Sequence, residues 1–93
     1  MPFSVVGPPA ARIVESEVDG NVSLYDPEAE EVLVLNQTAS DVWRLCDGSE
    51  TLDQIVKLLA RAYGVEPSEI HGEVVETVKG FRERKLLDED LRA

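Results

Sequence analysis

Leu35-Asn36-Gln37-Thr38-Ala39-Ser40-Asp41-Val42-Trp43 is the stretch on which the fold turns, because it joins an unbroken apolar run to the start of a capped helix. Upstream of the junction, Val32-Leu33-Val34-Leu35 is four apolar residues, two of them β-branched, a composition that favours a pleated backbone. Downstream, the Thr38 hydroxyl can accept an orphan N–H of a first helical turn while Asp41, three residues on, reaches back as in a capping box. This predicts a helix from about Ala39, with Asn36 and Gln37 as the corner; Asn suits a turn because its side chain bonds the local backbone.

Working towards the N-terminus, Ile13-Val14 and Val22-Ser23-Leu24-Tyr25 flank Asp19-Gly20, a dipeptide suited to a tight hairpin turn. Tyr25-Asp26-Pro27-Glu28 has turn chemistry with Pro at its second position, after which the chain returns as Val32 to Leu35. A three-strand meander follows. Gly7, Pro8 and Pro9 remove donors and resist helix, so residues 1–11 are expected to form a flexible arm, with ordered structure from about Arg12.

Towards the C-terminus, Asp47-Gly48 stops the first helix and Thr51-Leu52-Asp53-Gln54 offers a capping box for a second starting at Leu52. Leu52, Ile55, Val56, Leu59 and Tyr63 recur at three- and four-residue steps, which gives that helix one buried stripe. Gly64 ends it, and Pro67 suits the first turn of a third helix, capped by Glu66 or Ser68 and running to about Arg84. On the third helix Ile70, Val74, Val78 and Phe81 form a stripe with Val75 beside it. Gly80 costs roughly 1 kcal/mol relative to Ala there, and either close approach by another segment or simple tolerance explains it. Leu86-Leu87 folds back to close the core, leaving residues 88–93 as a tail and 12–87 as the domain.

The chain has 93 residues and a net charge of -10, with 19 acidic residues against 9 basic ones. That length bounds it to one small domain with no large active-site cavity, and the charge repels phosphate backbones and anionic lipid. A single cysteine, Cys46, excludes an internal disulfide framework and fits a reducing compartment, so the cytoplasm is the expected location. No segment approaches the roughly 20 apolar residues that span a bilayer. Catalysis is hard to assemble: His71 is the only histidine, and it falls on a different helix from Cys46, which reads as a buried thiol. Glu28, Glu30 and Glu31 read as a solvated turn, and no carboxylate–histidine spacing suggests a metal. No catalytic residue, metal or cofactor is expected.

Binding is the better class. A half-exposed strand should alternate, yet Val32, Leu33, Val34 and Leu35 present apolar side chains to both faces. If that strand lies at a sheet edge, its unused N–H and C=O groups can accept an added peptide strand. The third helix would form the neighbouring wall, through Val75, Val78 and Arg82. The competing reading is a strand sandwiched within the domain.

The chain resembles PqqD and, more broadly, the precursor-peptide recognition elements of ribosomal peptide natural-product biosynthesis. The resemblance runs from about Arg12 to Leu87. It is carried by Tyr25-Asp26, Leu35-Asn36 with Thr38-Ala39 and Val42-Trp43, Asp47-Gly48, Tyr63-Gly64-Val65, and the segment from Phe81 to Leu87. It implies an α+β, winged helix-turn-helix-like domain in which a three-stranded antiparallel sheet is followed by three helices. It further implies a non-catalytic protein that binds a precursor's leader peptide between the third strand and third helix and presents it to a tailoring enzyme. A leader peptidase of a lasso-peptide system is slightly favoured over a radical SAM enzyme. Carried over to this sequence, the peptide-binding residues are Val32, Leu33, Val34 and Leu35 for strand pairing and Val75, Val78 and Arg82 for the wall. The alternative is a winged-helix DNA-binding regulator, against which stand the net charge and the mixture of Glu73, Glu76 and Glu83 with Lys79, Arg82 and Arg84.

Overall fold

The structure, a computed structural model, describes residues 5–88. Three strands, β1 (Val14–Val18), β2 (Asn21–Asp26) and β3 (Glu31–Val34), precede three helices, α1 (Gln37–Leu45), α2 (Leu52–Tyr63) and α3 (Pro67–Glu83). This is the α+β, winged helix-turn-helix-like order that the resemblance implies. The sheet is an antiparallel meander in the order β1-β2-β3, so β3 is an edge strand. Asp19 and Gly20 both have positive φ (53° and 84°), as the two central residues of a type I′ hairpin turn require.

At the second turn the Asp26 carboxylate accepts the Glu28 and Ala29 N–H groups (3.0 and 3.4 Å). It also accepts the Arg12 guanidinium, from Nε at 3.1 Å and Nη2 at 3.2 Å. Arg12 Nη2 also donates to the Lys85 carbonyl at 2.9 Å, so one side chain ties the entry to β1, the end of β2 and the end of α3. The bond from Arg12 holds the Asp26 carboxyl below its ordinary range, and the bond to Asp26 raises Arg12 in return.

Alternation along the strands decides where the core lies. Val22, Leu24 and Leu35 face the helices and are buried, and Val42, Ile55, Val74 and Val78 meet them from α1, α2 and α3. Trp43 packs edge-on against Phe81 with ring centroids 5.2 Å apart, and its indole N–H donates to Glu15 at 2.8 Å. Ser40 is fully buried yet fully satisfied: its Oγ accepts the Val22 N–H at 2.9 Å and donates to the Leu35 carbonyl at 3.4 Å. It therefore takes a backbone donor that another strand residue would otherwise have to fill, and fixes α1 against the end of the sheet.

The caps of α2 and α3 agree with the sequence: Thr51 and Gln54 form a reciprocal box, and the Glu69 carboxylate accepts the Glu66 N–H at 2.8 Å. The cap of α1 differs. Asn36 Oδ1 accepts the Ala39 N–H at 2.8 Å, so the helix begins at Gln37, two residues before the position predicted from Thr38. Asn is at least as good a cap as Thr, and β3 already ends at Val34, which lets the nearer candidate act.

The N-terminal segment departs further from expectation. From Val5 onward it is packed into the domain instead of forming an arm up to residue 11. Val6 is fully buried. Its N–H bonds the Glu50 carbonyl (2.8 Å), its carbonyl accepts the Gly48 N–H (2.9 Å), and Val5 bridges Thr51. Ala10 N–H then bonds the Leu86 carbonyl and Asp88 N–H the Pro8 carbonyl, so the segment closes the domain over both the α1–α2 loop and the C-terminal strand-like residues. The prolines that exclude a helix are compatible with this extended path. The predicted tail lies outside the described residues beyond Asp88.

Candidate peptide-binding trough

Strand register settles which backbone groups of β3 are available. The Cα partners are Ser23–Val34, Leu24–Leu33, Tyr25–Val32 and Asp26–Glu31, and Leu35 N–H bonds the Val22 carbonyl at 2.8 Å in the same register. In an antiparallel pair hydrogen-bonded and non-hydrogen-bonded positions alternate. Counting back from Leu35, the amides of Leu33 and Glu31 point at β2, and those of Val32 and Val34 point away from it. Among the described residues nothing pairs with that outer edge.

The side chains divide the same way. Val32 and Val34 share the outward sheet face with Tyr25 and Val14 and are 65% and 57% exposed, while Leu33 points towards the helices and is half-buried. Both faces of β3 are thus apolar, but only the inner one is covered by the domain.

Beside the inner face lies a cavity of about 110 Å³ lined by Leu24, Leu33 and Leu86, with Asp26, Ala29, Glu31 and Arg84 around it. Its far wall is α3. Arg84 Nη1 approaches Glu31 Oε1 of β3 at 3.9 Å, across the opening. At the other end of the same flank, the Glu73 charge helps to raise Tyr63, whose hydroxyl donates to Asp41 of α1 at 2.5 Å. Burial first, then that bond, pushes the Tyr63 phenol up to about 12. Glu73, Thr77 and Gly80 of α3 and its C-cap Arg84, spaced at three and four residues, share one flank, and the last of them reaches Glu31 of β3.

The seven residues assigned from sequence fall in three places. Val32, Leu33 and Val34 form the open edge and floor of the trough. Leu35 and Val78 are core side chains, 5% and 0% exposed, and the Leu35 amide is spent on Val22. Val75 is half-buried and Arg82 exposed, and each is two residues out of step with Thr77 and Arg84, hence about 200° round the helix from the trough flank. The apolar stripe of α3 gave its buried centre, but periodicity does not say which flank of that stripe meets the sheet. The signal for Arg84, Glu31 and Leu86 was weaker still, since each sits at an element end whose direction depends on tertiary packing.

A second, more open hollow of about 350 Å³ lies between α1 and α2, lined by Leu45, Leu58, Leu59 and Ala62 with Asp41, Arg44 and Tyr63 around them. Cys46, fully buried, donates its thiol to the Val42 carbonyl at 3.1 Å, and His71 is on the exposed surface of α3. Among the described residues no cluster of His, Cys, Asp and Glu could hold a metal ion, and no helix is long and apolar enough to cross a membrane.

Comparison with solved structures gives the same fold. A chain described as TbiB1 in complex with the TbiA(beta) leader peptide superposes with a TM-score of 0.77 at 17% identity, covering 90% of this chain and 98% of that one. A lasso peptide synthetase B1 complexed with the leader peptide gives 0.69 at 26% identity over 83% and 91%. The PqqD truncation of Methylobacterium extorquens PqqCD, described as a functional stand-alone recognition element for ribosomally synthesized and post-translationally modified peptides, gives 0.69 at 22% identity over 94% and 97%. No relative among curated proteins matches. The family described as coenzyme PQQ synthesis protein D matches residues 21–87, from the start of β2 to just past the trough's Leu86, and the chain belongs to that PqqD family.

Proposed function

We propose that this chain binds the leader region of a ribosomally made precursor peptide, without catalysis of its own, and presents the attached core to a modifying enzyme. The leader adds as a fourth strand to the Val32 and Val34 amides, and alternate side chains enter the trough over Leu33. The observation that carries this reading is the outward pair of β3 amides lying beside a largely apolar cavity closed by Arg84 and Leu86 at the end of α3. Main-chain pairing supplies affinity that tolerates sequence change, and the cavity supplies selectivity. Two structures with the same fold hold a leader peptide, and one of them is a lasso peptide synthetase component. That supports a lasso-type leader peptidase as the enzyme served, ahead of a radical SAM enzyme. Holding the leader raises the local concentration of the core near the enzyme to about millimolar for a short flexible linker.

The test is fluorescence anisotropy with the labelled leader region of a candidate lasso-type precursor peptide. Saturable binding that changes little between low and high salt is expected, with none to random duplex DNA. Strongly salt-dependent DNA binding without leader binding would contradict the reading and favour a winged-helix regulator.

A further inference from the structure

We infer that Gly80 is a clearance position, kept free of a side chain so that the leader backbone can pass between β3 and α3; this rests on the leader-binding reading above. Glycine is a poor residue inside a helix, and it persists where the fold demands it. Neither usual demand applies here. Gly80 is not among the glycines with positive φ, so its backbone is one that any residue adopts. A Cβ built on it meets nothing within 4 Å among the described residues, so none of them requires the space.

The empty space has a definite location. Gly80 precedes Arg84 by four residues and follows Thr77 by three, which places it on the flank that faces β3. It is half-buried there despite the room around it, as expected inside an open trough. An added strand lies about 4.8 Å from β3 in the sheet direction, and a side chain at position 80 would project into its path.

Gly72 supplies the control. It sits in the same helix, also lacks a neighbour within 4 Å of a built Cβ among the described residues, and is exposed about 80° further round, on the side opposite the buried stripe. Helix propensity therefore predicts that Gly72→Ala and Gly80→Ala each raise the melting temperature by about 4 °C or more. The two variants should separate in leader binding. Gly80→Ala weakens it about tenfold and Gly80→Leu abolishes it, whereas Gly72→Ala leaves it within about twofold of the unsubstituted chain. The experiment pairs thermal melts with titrations of the same labelled leader. Equal leader affinity for Gly80→Leu and the unsubstituted chain would overturn this inference alone. No leader binding by the unsubstituted chain would overturn the leader-binding reading itself.

Discussion

Val34→Pro is expected to weaken leader binding about tenfold or more while the domain keeps its stability, and Leu33→Pro, one residue earlier, to destabilise the domain itself. The contrast comes from register alone. The Val34 N–H points away from β2, so a proline there removes a donor that the domain does not use. Proline is tolerated on an edge strand in just that orientation, and the preceding residue is already extended. The added strand loses a main-chain bond worth about 1 kcal/mol and meets the ring where an amide hydrogen should be, so affinity falls by an order of magnitude or more. The Leu33 N–H, by contrast, belongs to the bonded pair with Leu24 of the central strand, so proline there breaks a ladder bond and leaves the Leu24 carbonyl unpaired, at about 1–3 kcal/mol before any steric cost. Circular dichroism and leader titration on the two variants check both halves. If Val34→Pro binds the leader as the parent does, the peptide is not paired to this edge.

Gly7→Ala should be among the most destabilising single substitutions in the chain, although it lies in a segment whose Gly-Pro-Pro composition suggests a mobile arm. Its φ is +89°, and a Cβ there would sit 2.1 Å from the Cys46 carbonyl oxygen and 2.6 Å from its carbon. Both atoms are backbone, held by the end of α1, so rotating a side chain cannot relieve the clash. The segment must lift away, taking fully buried Val6 and its bonds to Glu50 and Gly48 with it. Strain at a left-handed residue and exposure of one core valine come to about 3 kcal/mol or more, out of a total stability on the order of 5–15 kcal/mol. Gly20→Ala is the matched comparison: it also has positive φ but has nothing within 4 Å of a built Cβ among the described residues, and should cost about 1 kcal/mol. Urea midpoints measure the difference. A Gly7→Ala midpoint no lower than that of Gly20→Ala would mean that the segment is not part of the folded unit.

The elements most legible in the sequence were those written in local chemistry. Asp19-Gly20 dictates its hairpin, Thr51 with Gln54 dictates the start of α2, and Pro67 the start of α3, because each feature acts within one turn of itself. Val32 to Leu35 announced a strand with two apolar faces for the same reason. What sequence could not supply was whatever depends on distant partners. Thr38 and Asn36 are both competent caps, and the end of β3 decides between them. Val5 and Val6 look like stray apolar residues until the Cys46–Thr51 loop is seen to receive them. On α3 the stripe through Val74 and Val78 marks the core, but Val75 and Arg82 on one flank and Thr77 and Arg84 on the other are equivalent by periodicity. Only the approach of Arg84 to Glu31 shows which flank faces the trough.

Amide hydrogen exchange at β3, read by NMR with and without the leader peptide, tests the account most directly. Without peptide, the Val32 and Val34 amides should exchange fast while Leu33, bonded to Leu24, is protected. Saturating leader should slow Val32 and Val34 by about tenfold or more and leave the outer edge of β1 unchanged. Leader binding that leaves Val32 and Val34 exchanging as before would contradict strand addition at this edge.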